Sequence, residues 1–255
     1  MPENPLLPDA ELRALLALTR RVIALEARSA ARLAESARRA PNSSAPAREA
    51  ALAAAALQLK PGDLWVPEAT DTALLALFPA PSETAPQPLE VLPSACTLGA
   101  SRLLLTSALA SGLRTLQTGG VVLAFTRAGQ KDPGWLQALS WAQEKLLPLI
   151  LVCLDASGDA AFTPKRSSAA GRFDWTGVAQ ATNRLKLPVL TVDGEDAVAM
   201  YRTTQEAVLR ARAGGGPAIL WAALATPAEA DARPASHRPL VRLTRYMRAR
   251  KIALS

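Results

Sequence analysis

The feature that most constrains this fold is a continuous apolar run, Leu149–Leu154, directly after Pro148. A run of this length is too short to cross a membrane and is typical of a parallel strand that is covered on both faces. Comparable runs occur at Val121–Phe125, Pro188–Val192 and Ala218–Leu224, and helical segments separate them. This alternation predicts an α/β fold with a doubly wound, mostly parallel sheet, in which ligands bind beyond the carboxyl ends of the strands.

The segments around these strands have helical periodicity. Apolar residues recur at three- and four-residue steps after Asp9, which predicts a long amphipathic helix that reaches Arg38. Ala47–Leu59 is alanine-rich and predicts a second helix. Further helices are predicted at Gly99–Leu116, Trp135–Leu146, Thr176–Leu185 and Glu195–Arg212. The first two helices are therefore added in front of the sheet.

Several prolines lie between the N-terminal helices and the predicted sheet. They stand at positions 79, 81, 86, 88 and 93, and this density excludes regular structure from Pro79–Pro93. The sequence thus predicts an N-terminal helical segment with a proline-rich loop over residues 1–92. The α/β core with its C-terminal helix takes residues 93–255.

Composition and charge bound the environment and the partners. Hydrophobic residues make up 49% of the chain and charged residues 20%, which is typical of a folded domain. The net charge of +7 suits an anionic ligand, a nucleic acid or an acidic protein, and charge alone does not choose among them. Cys96 and Cys153 form no CxxC pair and the N-terminus is unlike a secretory signal, so we expect a cytoplasmic protein without a membrane segment.

Common catalytic motifs are missing from the sequence. There is no Ser/His/Asp, HExxH, GxGxxG or P-loop arrangement. His237 is the single histidine, and its position beside Arg238 and Pro239 predicts a surface residue. Gly214–Pro217 precedes a strand and is interpreted as a turn that stops a helix. The residues by themselves therefore predict neither a catalytic group nor a metal ligand.

Three polar groups have both a structural and a functional interpretation. Asp193 and Asp196 follow a strand and either serve a ligand or cap the next helix, and capping is favoured. A loop with Lys165, Arg166 and Arg172 either binds phosphate or is a solvated loop. The basic C-terminal end favours core packing with a solvated face over nucleic-acid contact. Its cations are Arg242, Arg245, Arg248, Arg250 and Lys251.

One ordered series of segments consists of Trp135–Ala142, Leu147–Val152, Val192–Asp196, Glu206-Ala207-Val208 and Gly214–Pro217. Together they resemble the coenzyme-domain half of the alpha subunits of thiamine diphosphate-dependent 2-oxo acid dehydrogenases. The resemblance extends to Leu15–Glu26, to Arg48-Glu49-Ala50 and Pro61-Gly62-Asp63, which are similar to the GQEA and PGD segments, and to Arg238–Lys251. No single segment is diagnostic, but their shared order is specific.

This resemblance implies a thiamine diphosphate-binding-domain-like topology and an oxidoreductase that acts on an aldehyde or oxo group. It also implies pairing with a beta subunit or self-association. In the family, thiamine diphosphate lies at the subunit interface, and Mg²⁺ bridges its diphosphate to an aspartate and an asparagine.

The family's coenzyme residues do not recur at the matching positions. Its Gly-Asp-Gly falls on Thr126-Arg127-Ala128, so an arginine replaces the metal-binding aspartate. Its paired asparagines fall on Asp155-Ala156, next to Ser157. The candidate cofactor-binding positions are thus Arg127, Ala128, Asp155 and Ser157, all degenerate, with no metal ligand or catalytic residue assigned. Asp155 retains oxygens for a cation, whereas Arg127 offers none.

Other family positions have changed as well. The helical asparagine falls on Ser140, the Tyr-Arg pair falls on Ala69-Thr70, and the histidine loop corresponds to Ala225–Glu229. We therefore expect thiamine diphosphate and Mg²⁺ binding to be weak or absent, and we expect an ion pair between Arg127 and Asp155 in place of the metal. The open functions are an active alpha subunit, a non-catalytic structural or regulatory partner of a beta-like subunit, and a basic anion-binding protein on this fold.

Overall fold

One parallel sheet organises the part of the chain that the computed structural model describes, residues 7–36, 47–67, 87–88, 101–156, 172–173 and 175–254. The strands are β1 Leu64–Val66, β2 Gln87–Pro88, β3 Val122–Arg127, β4 Gln130–Lys131, β5 Leu149–Asp155, β6 Arg172–Phe173, β7 Val189–Asp193 and β8 Ala218–Ala223. Six of them form the sheet in the order β2, β1, β3, β5, β8, β7, and every neighbouring pair is parallel. The predicted parallel sheet is confirmed.

The three central strands are β3, β5 and β8. All of their residues are buried except at the carboxyl ends, because both faces of the sheet are covered. In the register, Phe125 lies beside Val152, and Val152 lies beside Leu220. The apolar runs in the sequence therefore correspond to the middle of the sheet.

Helices cover the two faces. Their bounds are α1 Asp9–Ser36, α2 Glu49–Ala56, α3 Arg102–Thr115, α4 Trp135–Glu144, α5 Trp175–Leu185, α6 Ala197–Arg212, α7 Pro227–Ala232 and α8 Pro239–Ala249, with a 3-10 turn at Ala235–His237. Helices α1, α2, α6 and α8 share one core with the sheet, and helices α3, α4 and α5 share the other.

Alternation along the strands supplies both cores. Leu123 and Phe125 of β3 point into the first core, whereas Val122 and Ala124 point into the second. β5 and β8 alternate in the same way, with Trp221 in the second core. Since helices lie on both faces, the sheet is doubly wound, as the sequence predicts.

The sequence did not predict several short strands. For one of them, β2, the prediction was wrong. β2 lies inside the proline-rich stretch from which regular structure was excluded. Among the described strands it pairs with β1, at the edge of the sheet, which is where a proline is tolerated. β4 and β6 form a separate antiparallel pair beyond β3.

The N-terminal helices belong to the first core. Leu12, Leu15 and Leu16 of α1 are buried, as is every residue of α2. Their alanine side chains allow α2 to approach α6 closely. Residues 89–100, which contain the predicted domain boundary and Cys96, lie outside the described residues, so that boundary stays a prediction.

Asp63 fixes the turn between α2 and β1. Its buried carboxylate accepts hydrogen bonds from the backbone N–H of Lys60 at 2.7 Å and of Val121 at 2.9 Å, and it forms an ion pair with Arg212 at the end of α6. This single carboxylate therefore joins the amino edge of the sheet to the first-face helices, which gives the Pro61-Gly62-Asp63 segment a structural role.

Among the described helices, none combines the length and the apolar character that a bilayer span requires.

Lys186 offers a test of the helix ends. This exposed residue follows α5 with a φ of 57°, in the left-handed region that favours glycine. We expect Lys186→Gly to raise the free energy of unfolding by about 0.5–1 kcal/mol, because the left-handed strain is relieved. Arg184→Gly, inside the same helix, should lower it by about 1 kcal/mol. Urea denaturation measures both, and equal losses would contradict the assignment of this helix end.

Candidate functional site

The crevice between β1 and β3 is the first place where this topology favours a ligand. After β1 the chain moves to β2 on one side, and after β3 it moves to β5 on the other side. At such a reversal, ligands bind beyond the carboxyl ends of the two strands. The residues at this crevice therefore decide what the fold can hold.

The side chain of Arg102 fills the crevice. Its guanidinium donates to the carbonyl oxygen of Phe125 in β3 at 2.6 Å and to that of Val66 in β1 at 3.0 Å, and it also donates to the carbonyl oxygen of Pro67. Arg102 is 4% exposed. A buried cation thus joins the two strand ends that border this crevice.

The start of α3 is closed by side chains of the protein itself. Ser101 accepts from the N–H of Leu104 at 3.1 Å. The buried carboxylate of Asp132 accepts from the N–H of Leu103 at 3.0 Å and of Gly134 at 3.2 Å, and from the Ser101 hydroxyl. Free N–H groups at a helix start are what bind phosphate. Two of those at α3 already have partners.

The β3 end carries two of the candidate positions, Arg127 and Ala128. The amide oxygen of Gln130 accepts from the Thr126 hydroxyl at 3.2 Å and from the Arg127 N–H at 3.4 Å. The Arg127 side chain is exposed. Ala128 donates its N–H to the carbonyl oxygen of Leu154 at 3.1 Å, and its side chain packs on the second core. The turn is therefore held by its own hydrogen bonds.

Asp155, at the β5 end, holds a buried indole. Its carboxylate accepts from Trp221 Nε1 at 2.8 Å. Trp221 is buried and stacks on Phe173 with 5.9 Å between the ring centroids. This contact gives Asp155 a structural role at the edge of the second core. The ion pair between Arg127 and Asp155 stays a prediction, and Ser157 lies outside the described residues.

Other candidate residues fall apart from this crevice or outside the described residues. Ser140 lies on the outer side of α4, in a hollow with Trp141 and Arg184. His237 is exposed, in agreement with the surface interpretation. Ala69, Thr70, Lys165 and Arg166 belong to segments that are not described, and only the backbone of Arg172 is described.

The Asp193–Asp196 segment is structural, as favoured from the sequence. Asp196 is the N-cap of α6 and accepts from the N–H groups of Val198 and Ala199, both at 3.0 Å. Arg242 of α8 donates to Asp193 at 2.8 Å and to Asp196 at 3.1 Å. Burial lowers the pKa of Arg242, but hydrogen bonding and attraction to Asp193 and Asp196 outweigh it and raise that pKa.

Sequence reasoning did not predict the burial of two glutamates on this edge of the first face. Glu195 accepts from the N–H of Ala225 at 2.7 Å and from Arg233 at 3.1 Å. Glu49 begins α2 and is 9% exposed. The periodicity of the sequence does not indicate that they are buried. The alanine-rich pattern of α2, for example, predicts only that Glu49 lies near the start of a helix.

The pKa of the Glu49 carboxyl is raised. Burial is the largest cause, and the negative charges of Glu26 and Glu195 add to it, whereas its own backbone N–H and Arg238 act against it. Glu26 itself is paired with Arg48 at 2.7 Å. Glu49 thus carries a carboxylate whose ionisation opposes folding.

The described residues contain no group of three or more His, Cys, Asp and Glu side chains that could hold a metal ion.

Known proteins match part of the chain. The Dehydrogenase E1 component family matches residues 112–223. The alpha subunit of acetoin:2,6-dichlorophenolindophenol oxidoreductase from Bacillus subtilis (strain 168) is 31% identical over 105 residues, 41% of this chain. The pyruvate dehydrogenase E1 component subunit alpha of Staphylococcus epidermidis (strain ATCC 35984) is 30% identical over 116 residues, 45% of this chain. The match spans only 30% of the length of each relative.

Solved structures also align with this chain. A putative thiamin diphosphate-dependent enzyme from Mycobacterium smegmatis is 20% identical, with a TM-score of 0.44, over 72% of this chain and 33% of its own. Benzoylformate decarboxylase from Polynucleobacter necessarius is 12% identical, with a TM-score of 0.43, over 69% of this chain and 32% of its own.

Replacement of Arg102 tests whether this residue holds the crevice together. Arg102→Met leaves three strand-end carbonyl oxygens without their donor, so we expect the free energy of unfolding to fall by about 2–4 kcal/mol. Arg114→Met, at the other end of the same helix, removes an exposed hydrogen bond to the Leu146 carbonyl oxygen and should cost less than about 1 kcal/mol. Chemical denaturation measures both variants. Equal losses would show that Arg102 has no special role.

Glu49 predicts a pH-dependent stability. Because its folded-state pKa is raised, stability is lost as the pH rises through that pKa, and Glu49→Gln should raise the melting temperature by a few degrees at about pH 8. The gain should shrink at about pH 4, because there the Glu49 side chain of the parent protein is neutral, as is the glutamine of the variant. Glu26→Gln breaks the ion pair with Arg48 and should give no such gain. Thermal melts of both variants measure this, and a loss for Glu49→Gln at the higher pH would refute it.

Proposed function

We propose that this chain, an alpha-subunit-like relative of the thiamine diphosphate-dependent 2-oxo acid dehydrogenases, is a non-catalytic partner in such an assembly. In this proposal it keeps the α/β scaffold, and it has lost magnesium-dependent binding of the coenzyme. The position of Arg102 is the observation that carries the proposal.

Arg102 supports the proposal because it occupies the crevice from inside the protein. A diphosphate that entered between β1 and β3 would have to displace a buried guanidinium from carbonyl oxygens of both strands. It would also meet a helix start at which two of the N–H groups are already engaged, by Ser101 and Asp132. Removing a buried charged donor from its acceptors costs several kcal/mol, which a ligand would have to offset.

The described residues do not fit Mg²⁺ either. This ion requires a near-octahedral set of oxygens, usually with one or two carboxylates from the protein. Arg127 places a cation where the family resemblance implies the aspartate. Asp155, the remaining carboxylate of the four candidate positions, already accepts from Trp221.

The proposed partner is a beta-like subunit, with a second copy of this chain as the alternative. The support for it is the match to proteins described as alpha subunits. A role in stabilising or regulating a partner requires only the folded scaffold. It does not require the coenzyme crevice.

Anion binding without a metal is the second candidate function. The exposed Arg127 side chain at the carboxyl edge favours it, because a guanidinium can contact a diphosphate directly. Such binding would be independent of Mg²⁺ and would depend on Arg127.

Titration calorimetry with thiamine diphosphate tests the proposal. The coenzyme is titrated into the chain alone and into the chain with its co-purified beta-like subunit, each with and without millimolar Mg²⁺. We expect no magnesium-dependent binding by this chain in either sample. Arg127→Ala, with the exposed Arg248→Ala as a matched control, identifies any metal-free mode.

Each outcome has a distinct meaning. Magnesium-dependent binding of micromolar affinity by the chain alone would refute the proposal. Magnesium-independent binding that Arg127→Ala abolishes and Arg248→Ala preserves would favour the anion-binding alternative. Light scattering that gives only monomers, with and without a beta-like chain, would contradict the proposed pairing with a beta-like subunit or a second copy.

A further inference from the structure

A groove of about 490 Å³ lies between α6 and α8, away from the crevice that Arg102 fills. Its lining combines apolar and cationic side chains. The apolar part includes Val198 and Ala199 of α6 together with Leu243 and Ala249 of α8, and the charged part includes Arg202, Arg242 and Arg245. The α8 part, from Arg242 to Ala249, extends about 10 Å along the helix.

Two of the groove residues are held in place by neighbours. Arg242 donates to Asp193 and Asp196 at the start of α6. The hydroxyl of Tyr246 accepts from Arg250 at 3.3 Å, and the Arg250 guanidinium lies 5.8 Å from the centre of the tyrosine ring. These contacts fix the walls before any partner arrives, which lowers the entropic cost of binding.

Two further arginines are available to a partner. Arg202 is exposed, and within the described part of the chain no carboxylate pairs with it. Arg245 is exposed and donates to the Ser236 carbonyl oxygen at 3.4 Å. The acidic residue of the lining, Asp196, is already used by Arg242 and by the α6 start. The groove therefore has a net positive charge, in a chain of net charge +7.

We propose that this groove binds an acidic segment of a partner protein. The segment presents apolar side chains to the apolar part of the lining, which forms the floor of the groove, and carboxylates to Arg202 and Arg245. The length of the groove fits about two turns of an amphipathic helix. The apolar floor favours a peptide over a nucleic acid, which would need more phosphate-facing cations and open aromatic faces. Complementary charge at the rim would fix the orientation of the segment. The inference does not depend on the coenzyme proposal.

Fluorescence anisotropy tests this surface with a labelled helical peptide that has one glutamate stripe and one leucine stripe. A scrambled peptide of the same composition is the specificity control. We expect binding of the striped peptide to weaken about tenfold in the double variant Arg202→Ser and Arg245→Ser. The double variant Arg13→Ser and Arg21→Ser removes the same charge from exposed positions of α1 and should change the affinity less than about twofold.

A second variant tests the floor. Ala199→Glu puts a carboxylate among the apolar residues and should abolish binding, and circular dichroism checks that the helices are retained. Equal weakening by the two double variants, or equal binding of the scrambled peptide, would overturn the proposal, since either result indicates unspecific charge attraction. Tighter binding to anionic lipid vesicles or to single-stranded DNA than to the striped peptide would also overturn it.

Discussion

The burial of both faces of β3, β5 and β8 is the constraint on which the rest of the structure depends. Apolar side chains alternate to the two sides of these strands, so both sides must be covered by helices. Parallel neighbours require crossover connections, and these bring all the strand ends to the same edge of the sheet. The buried core thus determines at which edge of the sheet a ligand would bind, whatever residues lie at that edge.

At the carboxyl edge of the sheet, three described side chains make contacts within the protein. Arg102 joins β1 to β3, Gln130 closes the turn after β3, and Asp155 holds the indole of Trp221. Each is a polar group that would otherwise need a ligand or water. Among the described residues of this edge, these three side chains therefore make their hydrogen bonds within the protein, whereas a coenzyme site would present free donors and carboxylates.

The sequence predicts the parts that repeat along the chain. The apolar runs locate the central strands, and the two acids predicted to cap the helix after β7 include the actual N-cap, Asp196, because burial and capping are local patterns. The family resemblance predicts that Arg127 replaces a metal ligand, and this stays a prediction. The sequence does not predict Arg102 as the residue that fills the crevice, since that role depends on contacts with strands more than 20 residues away. β2 and the buried Glu49 were missed for the same reason.

A crystal structure of the chain grown with thiamine diphosphate and Mg²⁺ tests the central claim most directly. It should show the Arg102 guanidinium on the carbonyl oxygens of Val66, Pro67 and Phe125, with no diphosphate between β1 and β3. A diphosphate bridged by an octahedral metal to the β3 and β5 ends, with Arg102 displaced, would contradict the account.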